Sequence, residues 1–154
     1  MTDEAWMAAA LAEAALAEAK DEVPIGAIVV LNDLILGRGH NLPIVQHDPT
    51  AHAEMIALRD AARAVNNYRL PGTTLYVTVE PCLMCMGALL HARVRRVVFG
   101  CHDPKAGAAG SLYNVAADPR LNHQLEVTSG VRAEESRELL RRFFRGKRGG
   151  KLPA

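Results

Sequence analysis

The chain has 154 residues, about the size of one folding domain, with 49% hydrophobic and 23% charged residues and a net charge of +1. Those values exclude a disordered or fibrous chain. The longest apolar stretch, Val23 to Leu31, falls far short of the ~20 residues that span a bilayer. The acidic MTDEAW start lacks the basic and apolar regions of a secretory signal, so a cytoplasmic protein without membrane association is expected. Three cysteines, two of them three residues apart, point to a metal or redox site in a reducing compartment rather than a disulfide framework. The near-zero net charge hides a split. Residues 1–22 hold six acids and one base, and residues 139–154 hold six bases and no acid. The basic end reads either as a solvated helix terminus complementing the helix dipole or as a contact for a polyanion.

Thr2 can cap a first helix, with Asp3 and Glu4 in its first turn and an Ala/Glu/Leu-rich run to about Lys20. Val23-Pro24 ends it. Ile25 to Leu31 and Leu34 to Gly39, joined by Asn32-Asp33, predict a β-hairpin. Residues 40–50, with Pro43 and Pro49, read as loop. Thr50 is the expected cap of a second helix, whose Met55, Leu58, Ala62 and Val65 fall on one face. Thr74 to Val79 is a buried strand by composition. Pro81 sits at the expected start of a helix running to about Ala92. Val94 to Gly100 is a strand, 101–120 mostly loop, Leu125 to Thr128 a short strand, and Glu134 to about Arg145 a last helix. Residues 146–154 are expected to fray as a basic tail. Alternating helices and strands predict one α/β domain over residues 1–154, with a mixed sheet covered by helices.

Pro81-Cys82-Leu83-Met84-Cys85 carries the most specific chemistry. Two cysteines at i and i+3 in a first helical turn lie on one side, and the helix N-terminus favours thiolate, the metal-binding form. Taken alone, the motif also fits a thioredoxin-like dithiol or two buried cysteines. Thr50-Ala51-His52-Ala53-Glu54 shifts the balance. A catalytic zinc takes three protein ligands and keeps one position for water. Of the six histidines, only His52 has a carboxylate two residues on and a candidate helix cap two residues before.

Together, His52-x-Glu54 and Pro81-Cys82-x-x-Cys85 resemble the zinc nucleobase-deaminase signature. The chain is similar to the cytidine and deoxycytidylate deaminase superfamily and, within it, to the bacterial tRNA-specific adenosine deaminases. The narrower likeness rests on Val23-Pro24-Ile25-Gly26-Ala27, Asn41, the segment His47 to Glu54, Tyr68-Arg69-Leu70, the run from Thr74 to Gly100, Asp103 to Leu112, Asn122-His123 and Phe143-Phe144-Arg145. It covers roughly residues 2–148. The zinc motifs are shared with cytosine and guanine deaminases. Asp103 to Leu112 and the Phe-Phe-Arg end are what point to the tRNA enzymes.

The resemblance implies a three-layer α/β/α cytidine-deaminase-like fold with a central mixed five-stranded sheet. It implies one zinc per subunit on His52, Cys82 and Cys85, and a homodimer. The substrate would be the wobble adenosine of an arginine tRNA anticodon stem-loop, splayed out to reach the pocket and converted to inosine. Zinc would make hydroxide available at neutral pH for attack on C6, and Glu54 would shuttle the protons without ligating the metal. Asn41 would bind the base, Asp103 and Lys105 the flanking nucleotides, and Phe144 and Arg145 the anticodon loop. The last helix and the loop at Asp103–Ser111 would flank the pocket and receive phosphates, while the N-terminal acids face away. Cys101 reads as a buried bystander. Two other readings share the motifs. One is a deaminase of free bases or nucleosides. The other is a non-enzymatic RNA-binding scaffold whose structural zinc takes Cys101 as a fourth ligand.

Overall fold

The computed structural model describes residues 1–149. In chain order the elements are α1 (Asp3–Ala19), β1 (Gly26–Leu31), β2 (Leu34–His40), α2 (Pro43–Gln46), α3 (Ala53–Val65), β3 (Thr74–Val79), α4 (Leu83–His91), β4 (Arg96–Cys101), β5 (Glu126–Thr128) and α5 (Ala133–Gly149). The five strands form one sheet in the order β2-β1-β3-β4-β5. β1 runs antiparallel to both β2 and β3, whereas β3, β4 and β5 are parallel. The β1–β2 turn places Asn32 and Asp33 at positive φ, the two-residue geometry that matches strand twist.

Strand periodicity divides the core into two layers. Ala27, Val29, Leu75, Val77, Val97 and Phe99 face Ala53, Ala57, Leu58 and Ala61 of α3 and Met86 and Leu89 of α4. The alternate residues Ile28, Val30, Tyr76 and Val98 face Trp6, Met7 and Ala10 of α1, with Val131 at the approach to α5. The outcome is the mixed five-stranded sheet between two helical layers that the resemblance implies. Among the described residues no helix is long and apolar enough to cross a membrane.

Several local expectations are corrected by contacts distant in sequence. Residues 43–46 form a short helix rather than loop, because the buried Glu22 carboxylate accepts from the Ile44 and Val45 amides at 3.3 and 2.8 Å. Thr50 does not cap α3. Its hydroxyl is bound to Asp48, and His52 occupies the N-cap position. The buried face of α3 is Ala53, Glu54, Ala57, Leu58 and Ala61, not the stripe of Met55, Ala62 and Val65. Small residues win there because α3 lies almost on the backbone of β2. A Cβ on Gly39 would fall 2.4 Å from the Ala53 carbonyl oxygen, and one on Gly37 2.3 Å from that of Ala57. The helix after Pro81 begins two residues later than expected, with Cys82 as N-cap.

The last helix does not fray at 146 but continues to Gly149; the remainder of the expected frayed tail, 150–154, lies outside the described residues. Nor do all the N-terminal acids face away from it. Arg142 pairs with Glu18 of α1 at 2.7 Å and Lys147 pairs with Asp21 just after that helix, so part of the charge split is neutralised against α5.

The start of α1 is tied to the sheet by Asp3, which takes two hydrogen bonds from Arg96 at 3.0 and 2.7 Å and one from the Tyr76 hydroxyl at 2.8 Å. The Arg96 bonds hold the Asp3 carboxyl below its usual range against the opposing pull of burial, and Tyr76 adds to the effect. A carboxylate depressed in the folded state contributes stability above its unfolded pKa of about 3.9 and loses that contribution as pH falls through the folded value. Asp3→Ala is expected to cost about 1–3 kcal/mol at pH 7. The gap from the parent chain should narrow below about pH 4 as Asp3 protonates. Thermal denaturation across that range checks this; a gap that stays constant into acid contradicts it.

Candidate active site

The site forms at the carboxyl ends of β3 and β4, where open α/β sheets place their ligands. Two helices begin there. α3 presents His52 at its N-cap, and α4 presents Cys82 at its N-cap and Cys85 one turn in. Both N-termini direct backbone N–H groups and the positive end of the helix dipole at one spot, which favours thiolate. The α3 N-terminus is completed from a distance: Asn41, after β2, accepts from the Ala53 amide at 2.8 Å through Oδ1. The Asn41 backbone N–H donates to Ile25 O at 3.1 Å.

His52 Nδ1 lies 3.5 Å from Cys82 Sγ and 3.6 Å from Cys85 Sγ, and the three ligand atoms all fall within 4.8 Å of one another. A tetrahedral zinc with Zn–N near 2.0–2.1 Å and Zn–S near 2.3 Å requires an N···S separation of about 3.6 Å. One imidazole and two sulfurs at that spacing fit zinc in both donor type and size. Among the described residues no fourth His, Cys, Asp or Glu joins the set. Cys101 is buried outside it, so the closed structural site that would have used this cysteine is not formed.

Without a metal the three ligand groups perturb one another's titration. Hydrogen bonding from Cys85 and His52 draws the Cys82 thiol down to about 4, while its bond to Cys82 and burial push Cys85 up. The bond to Cys82 raises the His52 imidazole. Glu54 stands beside the ligands and is almost completely buried. Loss of water pushes its carboxyl up to about 7.

A cavity of about 110 Å³ opens onto these groups, lined by Ile25, Asn41, His52, Glu54, Val79, Glu80, Cys82, Asp103 and Ala106. The fold thus brings Asn41 and Asp103 to the same space as Glu54 and the metal-ligand candidates. Asp103 Oδ1 accepts from the Lys105 and Ala106 amides and turns the loop over the cavity. Lys105, Phe144 and Arg145 do not line it. Lys105 is exposed on the loop. Phe144 is 45% exposed on α5 and meets Phe143 edge-on, and Arg145 pairs with Glu138 at 3.0 Å.

Glu80 is a site residue that motif reasoning passed over. It is buried, lines the cavity, and takes hydrogen bonds from the loop after β4. Burial opposes its charge, yet the bonds from Ser111, Asp103 and Ala109 hold its carboxyl below the usual range. Its signal in the sequence was an acid closing the otherwise uncharged strand Thr74 to Val79.

Residues 1–101 match the family model of the cytidine and deoxycytidylate deaminase zinc-binding region. The tRNA-specific adenosine deaminase of Haemophilus influenzae is 54% identical over 95% of this chain and 85% of its own length. That of Bacillus subtilis is 49% identical over 99% of this chain and 94% of its own. A solved structure from work on A-to-I editing by tRNA:A34 deaminases at the wobble position superposes with a TM-score of 0.85 at 44% identity, covering 88% of this chain and 98% of that one. With this zinc-binding region and relatives alike over nearly their whole length, the chain belongs to the tRNA-specific adenosine deaminases of the cytidine and deoxycytidylate deaminase family.

Proposed function

We propose that this chain is a zinc-dependent enzyme that converts adenosine to inosine at the wobble position of a tRNA anticodon stem-loop, with an arginine tRNA as substrate, and that the whole chain forms one deaminase domain. The observation that carries the reading is the Nδ1–Sγ–Sγ cluster of metal-ligand spacing beside a buried glutamate and a cavity that includes Asn41. In this reading His52, Cys82 and Cys85 hold one zinc per subunit. Zinc bound there would supply the nucleophile at neutral pH by lowering the pKa of a water to about 7.

The remaining work falls to side chains. Glu54 accepts one proton from the attacking water and delivers it to N1 of adenine so that C6 becomes electrophilic; it then takes the second proton from the new C6 hydroxyl and passes it to the amine, which leaves as ammonia while C6 becomes a carbonyl. A carboxyl near 7 can both take and give a proton at neutral pH. Asn41 spends its oxygen on the α3 cap, and among the described residues no group accepts from its NH₂, which is free to hold an edge of the base. A paired adenine must be splayed out of its stack to reach this depth. Asp103 and Lys105 meet the flanking nucleotides, and Phe144 and Arg145 the anticodon loop. The Arg142–Glu18 and Arg145–Glu138 pairs are exposed, so each is weak enough to yield to a phosphate.

The enzyme acts as a homodimer and in the cytoplasm, where a tRNA substrate and two reduced thiols are both at home. Leu83 and Leu121, 50% and 40% exposed, line a groove of about 360 Å³ beside α4 that a second copy would cover. Sedimentation equilibrium should return the mass of two chains; a monomer contradicts that part.

Sequencing of tRNA after incubation tests the activity. Inosine is expected at the wobble position of an arginine tRNA, and an unchanged adenosine there refutes the assignment. Glu54→Ala should retain zinc and lose about 10²–10⁴-fold in turnover. Near-normal conversion by that variant removes Glu54 from the chemistry.

A further inference from the structure

The loop after β4 is held by one carboxylate. Glu80 follows the last residue of β3, and its amide extends the β3–β4 ladder by donating to Cys101 O at 2.9 Å. Its side chain is fully buried and turned into the loop. Oε1 accepts from the Asp103 amide at 3.1 Å, from His102 Nδ1 at 3.2 Å and from the Ser111 hydroxyl. Oε2 accepts from the Ala109 and Ser111 amides, each at 3.0 Å. Five donors from four residues, spread over both ends of the segment 102–111, therefore converge on two oxygens. A carboxylate has about four lone-pair sites and meets nearly the whole set, with His102 Nδ1 also 3.3 Å from the Ser111 hydroxyl, and an amide oxygen cannot.

The packing is as close as the bonding. A Cβ on Gly107 would stand 2.3 to 2.5 Å from the Glu80 Cδ and both carboxylate oxygens. Gly107 is fixed in turn by its amide to Asp103 O at 2.8 Å, and Ala108 donates to Pro81 O at 2.8 Å. The same segment carries Asp103 and Ala106 to the cavity wall.

We infer that Glu80 is the positioning residue of the substrate loop: it fixes residues 102–111 in the shape that receives the nucleotides beside the target base. The inference rests on the proposed RNA substrate. Glu80 itself touches no reacting atom. Removing its hold releases the loop, weakens capture of the RNA, and leaves the metal ligands and Glu54 in place.

The test uses the zinc-loaded full chain and a short anticodon stem-loop RNA. Glu80→Gln keeps the shape and withdraws the charge. Gly107→Ala keeps Glu80 and displaces its carboxylate. Ser111→Ala removes one donor, and serves should the first two variants not fold. Glu80→Gln and Gly107→Ala are each expected to raise KM for the stem-loop about tenfold or more, with kcat changed less than about threefold and one zinc retained per chain. Amide exchange at Ala109 and Ser111 should quicken about tenfold. Ser111→Ala should shift KM the same way by a smaller factor, and Glu80→Asp should recover part of the loss. Unchanged amide exchange overturns the inference. So does a kcat loss at constant KM, or a loss of zinc. Failure of the unmodified chain to convert any RNA would refute the substrate reading instead, and the exchange rates would still decide what Glu80 holds.

Discussion

Everything near the cavity depends on one spacing, the ~3.6 Å between imidazole nitrogen and sulfur that a tetrahedral zinc imposes. His52 and the two cysteines come from helices that start 30 residues apart in sequence, and they meet that spacing only if both helix N-termini arrive at the end of β3 together. The sheet fixes α4, because only Glu80, Pro81 and Cys82 separate it from β3. α3 has no such tether. Its placement comes from the Ala53–Ala57–Ala61 stripe resting on Gly37 and Gly39 of β2, where larger side chains would lift the helix away. Asn41 then ties the α3 N-terminus to the end of the same strand.

Around this centre, three buried carboxylates differ in their surroundings. Glu54 has few compensating donors, so burial pushes its carboxyl up to about 7. Glu80 accepts from the Asp103, Ala109 and Ser111 amides and Glu22 from those of Ile44 and Val45, so one holds the loop after β4 and the other α2. A count of acids in the sequence does not distinguish these cases. The hydrogen-bond donors that face each one do.

The hairpin, the uncharged strand Thr74 to Val79, the alternation of helix and strand, and both metal motifs were legible because they depend on neighbours within a few residues. What was not legible depends on partners far along the chain. Thr50 had the residue type of an N-cap, yet Asn41 took the role from twelve residues away. The larger apolar residues of α3 suggested one face, yet glycines on another strand selected the alanines. Residues 43–46 looked like loop because the carboxylate that caps them is Glu22. The basic last helix read as a solvated end or a polyanion contact, yet Arg142 meets Glu18 of α1 and Lys147 meets Asp21 just after it. Cys-x-x-Cys alone left metal, redox and structural readings open. The spacing of His52 against the two sulfurs fits a metal.

The measurement that bears most directly on this account is zinc K-edge X-ray absorption on the purified chain. The account predicts one zinc with two sulfurs near 2.3 Å and two lighter nitrogen or oxygen neighbours near 2.0–2.1 Å, one of them solvent. A shell of three or four sulfurs, or a chain that takes up no zinc, contradicts it.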